Sequence, residues 1–267
     1  MRGRVWLTRC IAGAVLFAGP FTAIAQAPLA GALPGRTVEL HGLHQPVSNG
    51  YGDWSGAYAR VIVPGARNTL FLDALGVRGF GERGVQGGVA HRLAWNDRWF
   101  HMLGVNVGDG SPLFPRYRTD GLIGRRWGAT GAVQTVAGAS YVQSIATLSD
   151  VALLGAATWY APNGFVLESG IRYNTSRPGD INSHRVHAIA MYAPNSRRSF
   201  STRLIGGTEG WQIVNVGTTL TRFASQELAL AWRERIGTSR ALNVQFDRYS
   251  NPYYTRMGVT LGVAQYW

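Results

Sequence analysis

The segment HQPVSNG, residues 44–50, contains the residue types of a nucleophile and its base. A histidine can activate a serine hydroxyl to attack an ester, so His44 and Ser48 are candidates for the catalytic pair of a lipid esterase. Residues two apart on a β-strand share a face at about 6.6 Å, but these two are four apart, at about 13 Å. That separation exceeds hydrogen-bond reach unless Pro46 bends the strand. The alternative is a turn in which Gly50 and Gly52 supply positive φ.

The other histidines do not have the spacing of a metal site. His184 and His187 are three residues apart, as are His41 and His44. An odd spacing in a β-strand places the two side chains on opposite faces, where they cannot share a metal ion. Glycines are spread along the chain and form no phosphate-binding loop before a helix. The sequence therefore predicts neither a metal centre nor a cofactor.

Residues 1–25 have the composition of a secretory signal peptide. Arginines without acidic neighbours precede the apolar run IAGAVLFAGPFTAIA, whose last three residues form an Ala-x-Ala cleavage site. A membrane anchor is the alternative, but the run is shorter than the about 20 residues of a spanning helix. Cleavage removes the only cysteine, Cys10, so the exported chain has no disulfide. Residues 26–36 are predicted to be a flexible periplasmic lead-in to the domain.

The basic residues of this chain are all arginines. The sequence has 26 basic and 14 acidic residues and a net charge of +12. Three of the arginines lie in the signal peptide, so the exported chain keeps an excess of positive charge. Such an excess favours polyanions, for example lipopolysaccharide phosphates or acidic polysaccharide, and export makes nucleic acid an unsuitable partner. A GC-rich genome is the alternative explanation for the arginine usage.

After residue 36 the pattern is that of β-strands. Apolar and polar residues alternate with a two-residue period, as in 165–174 and 242–247. Turn signals recur every 32 to 34 residues, at positions such as Pro64, Asn96 and Gly128. Each repeat accommodates two strands of about 11 residues, and a tilted strand of about 9–11 residues crosses a bilayer. The spacing therefore predicts membrane-spanning hairpins.

Large aromatic residues repeat with the same period. Trp95, Trp127 and Trp159 are 32 residues apart, and each precedes a turn. Tryptophan and tyrosine at strand ends are typical of the membrane interface of β-barrels. The predicted interfacial girdle consists of Trp95, Trp127, Trp159, Tyr192, Trp232 and Trp267.

Together these patterns predict an all-β fold, a transmembrane antiparallel up-and-down β-barrel formed by residues 37–267. We count fourteen strands, with twelve as the alternative because the strands expected at 199–208 and 217–235 are the least regular. An even number places both ends of the domain in the periplasm. The last strand alternates and ends on Trp267, as in the signal that the outer-membrane barrel assembly machinery reads, although Gln265 departs from that pattern.

Four segments resemble the YaiO family of outer-membrane β-barrel proteins. They are VSNGYGDWSGAYAR (47–60), RNTLFLDALGVRGFGERG (67–84), PRYRTDG (115–121) and NPYYTRMGVTLG (251–262). The resemblance covers essentially all of residues 37–267. It implies a location in the outer membrane of a Gram-negative cell. Some members of the family are associated with glycosyltransferases, which implies work on surface polysaccharide.

Alternation predicts which charged residues face the lumen, where unpaired charge is costly unless it is wet or holds a ligand. In a narrow lumen, an excess of arginine would favour anions. The predicted lumen-lining residues are Arg60, Arg92, Arg116, Arg118, Asp120, Arg126, Glu168, Arg172, Glu227, Arg233, Arg235, Asn243, Gln245, Asp247 and Arg256.

The function expected from these observations is not enzymatic. We expect an outer-membrane barrel that passes or anchors an anionic or sugar-containing surface polymer. The alternatives are the lipid esterase of His44 and Ser48 and a plugged barrel with a structural or adhesive role. Expected partners are outer-membrane lipids and lipopolysaccharide, the barrel assembly machinery during insertion, and components of polysaccharide synthesis or export.

Overall fold

The chain forms a closed antiparallel β-barrel. The structure, a computed structural model, describes residues 35–111, 113–144, 147–215 and 218–267. Fourteen strands follow one another around the ring, and the first strand pairs with the last to close it. The predicted fourteen-stranded all-β fold is therefore confirmed. The predicted signal peptide and most of the lead-in lie outside the described residues.

Consecutive strands pair with each other throughout the barrel. In the described part of the chain, no helix is long and apolar enough to cross a membrane. The strands are β1 (Thr37–Gln45), β2 (Trp54–Pro64), β3 (Asn68–Gly79), β4 (Glu82–Ala94), β5 (Trp99–Gly108), β6 (Tyr117–Trp127), β7 (Val133–Gln143), β8 (Ser149–Tyr160), β9 (Phe165–Arg177), β10 (Ile181–Tyr192), β11 (Arg198–Asn215), β12 (Thr218–Ile236), β13 (Arg240–Ser250) and β14 (Thr255–Tyr266).

The expected end of β11 at residue 208 was wrong. β11 has 18 residues and pairs with β12 as far as Asn215. Gly207 has a φ of 146° and Arg222 on β12 has a φ of 52°, so side chains near them leave the regular alternation. The backbone hydrogen bonds between β11 and β12 continue past these residues, because such bonds do not require alternating apolar side chains.

The two ends of the barrel differ in their connections. We call one end the turn end, where β1 begins, β14 ends and short turns such as 65–67 and 95–98 connect the strands. At the other end, the loop end, lie the connections 46–53, 109–116 and 251–254. The longest described connections, 46–53 and 109–116, lie at the loop end, which also has short ones such as 80–81.

Side chains alternate between the lumen and the outer wall. In β14, Arg256 and Thr260 are buried, whereas Val259, Leu261 and Val263 are exposed. A belt of exposed apolar side chains of this size suits a bilayer and not water. Its members include Leu40, Leu72, Val89, Leu103, Ile123, Leu153, Ile171, Val186, Leu204, Leu230, Phe246 and Leu261.

Inward-facing glycines let large side chains lie flat against the wall. The His41 ring of β1 covers Gly262 of β14, and a Cβ at that glycine would overlap the ring. The Phe100 ring of β5 covers Gly124 of β6 in the same way. The lumen is thus filled by side chains that lean over the neighbouring strand.

The aromatic residues of the predicted girdle lie at the turn end. Five of them, Trp95, Trp127, Trp159, Tyr192 and Trp267, are more than a third exposed. Trp232 is on the outer wall beside Phe200, its cross-strand neighbour. The guanidinium of Arg125 lies 3.9 Å from the centre of the Trp127 ring. This arrangement suits the boundary between lipid and water, and the interfacial role remains a prediction.

Candidate functional site

The structure does not bring the two residues of the esterase hypothesis together. His44 is exposed on the outer wall, between Leu43 and Gln45, which face the lumen. Ser48 lies beyond the end of β1, where its Oγ accepts a hydrogen bond from the Thr255 backbone N–H at 2.9 Å. The hydroxyl therefore links the 46–53 connection to the start of β14 and does not face a histidine base.

Residues 46–53 form the turn that was the alternative interpretation. Asn49, Gly50 and Gly52 have φ values of 63°, 74° and 77°. The Asn49 side-chain amide donates a hydrogen bond to the carbonyl of Tyr253. This turn is consequently tied to the β13–β14 connection, next to the seam where β1 meets β14.

The loop end of the lumen is filled by apolar side chains. Phe80 meets Trp54 and Tyr254 edge-on, with ring centres 5.1 and 5.4 Å apart. Burial raises the pKa of Tyr254, in the β13–β14 connection, to about 12, so its hydroxyl is neutral and accepts a hydrogen bond from Gln212 at 2.6 Å. We name this group the aromatic cluster: Leu43, Trp54, Tyr58, Val77, Phe80, Phe114, Leu220, Phe223, Tyr249 and Tyr254.

Ion pairs occupy the lumen below the aromatic cluster. Arg60 donates to Asp73 on the next strand, with Nε 2.6 Å from Oδ1, and the Tyr58 hydroxyl donates to the same oxygen at 2.7 Å. Arg233 of β12 donates to Glu39 of β1 at 3.0 Å, across the two strands between them. Each buried charge in this group therefore has an opposite charge beside it.

The wall formed by β6 to β12 carries further pairs. Arg118 donates to Asp120 two residues along its own strand, with Nε 2.5 Å from Oδ2. Arg203 donates to Glu227, and Arg185 lies 3.9 Å from the same carboxylate. Arg118, Arg203 and Glu227 are at most 5% exposed, so these pairs are shielded from water.

Polar side chains connect the remaining charges of this wall. Glu168 accepts a hydrogen bond from the Thr158 hydroxyl at 2.9 Å and lies 3.2 Å from His187. Arg172 donates to the Asn174 amide oxygen at 3.2 Å, and that amide donates to Asp150 at 2.8 Å. Hydrogen bonds through the Asn174 amide thus connect the Arg172 guanidinium with the Asp150 carboxylate.

Five further residues were predicted to line the lumen. Asp247 accepts a hydrogen bond from Gln45 at 2.8 Å, and Arg256 lies 4.6 Å from the centre of the Trp54 ring. Asn243 and Gln245 are buried on the same wall. The prediction for Arg116 was wrong, because this residue precedes β6, outside the alternating pattern, and is exposed.

Three arginines near the turn end have no carboxylate partner in the described part of the chain. Arg92 stacks on the Phe100 ring, with its guanidinium carbon 4.4 Å from the ring centre. Arg235 donates to the carbonyl of Thr238 at 2.6 Å. The Arg126 side chain lies beside Gly131 of the β6–β7 turn, two residues along β6 from Gly124, which the ring beneath Arg92 covers. Unbalanced positive charge therefore accumulates at this end of the lumen.

Sequence reasoning missed several inward charged residues. Alternation alone could have found Glu39, since Thr37, Glu39 and His41 are all buried. Glu39 was missed because leucines occur on both faces of β1, so the sequence does not show which face points inward. The missed residues are Glu39, His41, Asp73, Asp150, Arg185, His187, Arg203 and Glu209.

The arrangement sorts charge along the lumen. Charges in the middle are paired and hydrogen-bonded, which offsets the cost of burying them. The loop end is apolar, and the turn end is positive. In the described residues, no three side chains of His, Cys, Asp or Glu are grouped to bind a metal ion. The interior therefore suits contact with anions at the turn end.

A family comparison matches residues 36–226 to the YaiO membrane beta barrel domain. The matched part runs from the start of β1 into β12 and includes the esterase segment and most of the lumen-lining arginines. No curated protein matches the sequence.

Several solved outer-membrane proteins share the fold. The toluene transporter TodX of Pseudomonas putida is 8% identical, with a TM-score of 0.61 over 100% of this chain and 98% of that chain. The monoaromatic hydrocarbon channel CymD is 7% identical, with a TM-score of 0.56 over 87% and 88% of the two chains. A bacterial polysaccharide outer membrane secretin is 10% identical, with a TM-score of 0.53 over 87% and 98%. At such identities the likeness establishes the fold alone.

Proposed function

The chain belongs to the YaiO family of membrane β-barrels, and from this premise we propose that it is an outer-membrane channel for anionic, sugar-containing molecules. The proposed cargo is a small anion or a single saccharide chain. A wider polymer fits less well, because the ion pairs and the aromatic cluster crowd the interior. Anchoring of such a molecule at the turn end is the non-conducting form of the same proposal.

The distribution of charge inside the lumen carries this proposal. Arg92, Arg126 and Arg235 have no carboxylate partner in the described residues, whereas the arginines of the middle are paired. An arginine at a wet mouth attracts anions and repels cations. The channel would therefore draw anions into the turn end.

We place the turn end in the periplasm. The even strand number puts both ends of the domain on that side, and bacterial barrels have their short turns there. The signal peptide would direct export, and the barrel assembly machinery would insert the domain. The loop end would then contact lipopolysaccharide, and the turn end would receive molecules from polysaccharide synthesis or export components.

The solved barrels that share this fold serve different cargoes. TodX and CymD are a toluene transporter and a hydrocarbon channel, and the secretin is a polysaccharide protein. We do not adopt the hydrocarbon cargo, because the paired charges of the middle would have to be crossed by an apolar molecule. The secretin is consistent with the sugar-containing cargo proposed for this chain.

Ion selectivity in planar lipid bilayers tests the proposal. A KCl gradient across the membrane gives a reversal potential whose sign tells whether chloride or potassium carries the current. We expect chloride to dominate, less strongly at high salt because the arginines are screened. Replacing Arg92, Arg126 and Arg235 by Gln should remove the preference for chloride. A preference for potassium in the unaltered protein would contradict the proposal.

A plugged structural barrel is the second candidate, and the aromatic cluster is the observation that favours it. The Phe80 ring contacts both Trp54 and Tyr254 at the loop end. A plug predicts no current from the unaltered protein and current only after the cluster is removed. A channel predicts current in both, with a larger conductance in the Trp54→Ala, Phe80→Ala variant.

Lipid ester hydrolysis is not part of the proposal. His44 is on the outer wall and Ser48 is hydrogen-bonded to the backbone of Thr255. Purified protein should release no fatty acid from phospholipid or from a lipid A analogue. Release that is lost in Ser48→Ala would return the esterase as the function.

A further inference from the structure

Three polar side chains from three strands face the lumen near the turn end. They are Arg92 on β4, Arg126 on β6 and Tyr160 on β8, each on the inward side of its strand. The Phe100 ring on which Arg92 stacks covers Gly124, two residues from Arg126 on the same face of β6. The Arg126 side chain lies beside Gly131, and the next residue, Ala132, accepts a hydrogen bond from the Tyr160 N–H. The three groups therefore converge on one region of the lumen.

Packing holds Arg92 in place. Gly124 of β6 leaves space on the wall, and the Phe100 ring lies over it, 4% exposed. The guanidinium of Arg92 stacks on this ring at 4.4 Å. Stacking leaves the N–H groups at the edge of the guanidinium plane free to donate hydrogen bonds. Arg92 is thus presented as a donor and not folded back on the wall.

In the described residues, no carboxylate forms an ion pair with Arg92 or Arg126. The buried hydroxyl of Tyr160 has no hydrogen-bond partner. Glu168 acts electrostatically on Tyr160, but its carboxylate accepts a hydrogen bond from Thr158 and lies 3.2 Å from His187. Two guanidinium groups that repel each other beside an unsatisfied hydroxyl are costly without a ligand.

We propose that Arg92, Arg126 and Tyr160 form a binding site for an oxyanion, the phosphate or carboxylate group of a small solute or saccharide. Each guanidinium donates charge-assisted hydrogen bonds to the oxygens, and the Tyr160 hydroxyl donates a third. The negative charge of the ligand offsets the two positive charges and so reduces their mutual repulsion. The site deepens the proposed function by naming the chemical group that the turn end recognises.

Equilibrium binding tests the site without any measurement of transport. Isothermal titration of the detergent-solubilised protein uses three probes: inorganic phosphate, glucuronate and uncharged methyl glucoside. Binding of phosphate alone identifies a phosphate site, and binding of glucuronate identifies a carboxylate site. Binding of neither anion, or equal binding of methyl glucoside, overturns the proposal.

Substitutions then locate the binding. Arg92→Gln and Arg126→Gln should each weaken anion binding at least about tenfold, which corresponds to about 1.4 kcal/mol for one lost charge-assisted hydrogen bond. Tyr160→Phe should weaken it about fivefold while leaving the wall unchanged, so it tests the site even if an arginine variant fails to fold. Unchanged binding in Tyr160→Phe and in a folded arginine variant overturns the proposal.

The matched control is the double variant Arg67→Gln, Arg98→Gln. Both arginines are exposed in turns at the same end, outside the lumen, so the net charge falls by the same amount as in Arg92→Gln, Arg126→Gln. Anion binding should stay within about twofold of the unaltered protein. An equal loss in the control would mean that general charge attracts the anion, which overturns the site.

The outcome for the site is independent of the outcome for the channel. Binding that depends on Arg92 and Arg126, together with no current in bilayers, retains the site and rejects the channel. A chloride preference together with no binding of either anion rejects the site and retains the channel.

Discussion

The two ends of the lumen have opposite chemistry in one closed wall. At the loop end, Phe80 contacts both Trp54 and Tyr254, and Arg256 lies over Trp54. At the turn end, Arg92 also lies over an aromatic ring but has no carboxylate beside it in the described residues. The same cation–ring contact thus occurs inside a packed cluster at one end and at a site with unsatisfied donors at the other.

This difference indicates that the loop end contributes stability and that the turn end is available for binding. Burial of large rings stabilises a fold in proportion to the apolar area removed from water. Arginines that repel each other contribute nothing of that kind and retain hydrogen-bond donors for a ligand. Stability and recognition are therefore expected to depend on different ends of the barrel.

The largest expected effect comes from removing a ring of the aromatic cluster. Trp54→Ala should lower the free energy of unfolding by about 3 kcal/mol or more, because a buried indole leaves a cavity. Trp95→Ala, at the outer turn end, is the matched control and should cost much less. Urea unfolding in detergent, followed by heat-modifiability on gels, measures both. Equal losses of unfolding free energy in the two variants would contradict the expectation that the aromatic cluster contributes more stability than the turn end.

Breaking an ion pair compares paired with unpaired arginines. Arg203→Gln leaves Glu227 with only the more distant Arg185 and should cost about 3 kcal/mol of stability. Arg126→Gln removes a charge that has no acid beside it and should cost less than about 1 kcal/mol. The midpoints of urea unfolding in the two variants give the comparison. A larger loss in Arg126→Gln would show that this arginine has a partner in solution.

A smaller effect is expected from the wall at the turn end. Trp267 exchanges two backbone hydrogen bonds with Arg36, at 2.9 and 3.1 Å, and closes the seam between β1 and β14. Deleting Trp267 should cost about 1–2 kcal/mol and lower the amount of protein in the outer membrane. Cell fractionation measures the loss, and periplasmic fragments should increase. Unchanged membrane levels would mean that insertion does not depend on the terminal aromatic residue.

The smallest effect is expected from Ser48→Ala at the loop end. The substitution removes one exposed hydrogen bond to the Thr255 N–H and should cost about 0.5 kcal/mol. Asn49→Ala, which removes the neighbouring contact to Tyr253, is the control and should have a similar cost. Thermal unfolding of both variants checks the values. A loss as large as that of Trp54→Ala would place the turn among the main stabilising contacts of the loop end.

The wall was predictable from the sequence because its signals are local. Alternation involves residues of one strand, turn spacing and the tryptophan period involve neighbouring hairpins, and together they were sufficient for fourteen strands. The interior was less predictable, because its contacts join strands that are distant in sequence. The pair of Arg233 and Glu39 crosses two intervening strands, and the aromatic cluster draws on several connections. Alternation gives the direction of a side chain but not its partner.

The same limit applies to the candidate sites. Spacing argued against His44 and Ser48 as a catalytic pair, and the structure adds that the serine is held by Thr255. Arg92 and Arg126 were predicted to face the lumen, but nothing local distinguished them from Arg60 or Arg118, which have acids beside them. Their lack of an acid partner depends on the neighbours across three strands.

The glycines that lie under large side chains also restrict how the sequence can change over time. A residue larger than glycine at position 262 would collide with the His41 ring, and the same holds for position 124 and Phe100. Gly262 or Gly124 can therefore be enlarged only when the ring that covers it is replaced by a smaller side chain. Such positions should vary jointly among related chains: where one strand has the large residue the adjacent strand should have the small one, and the two sizes can be swapped. The joint variation would record the neighbour relations of the barrel in the sequences themselves.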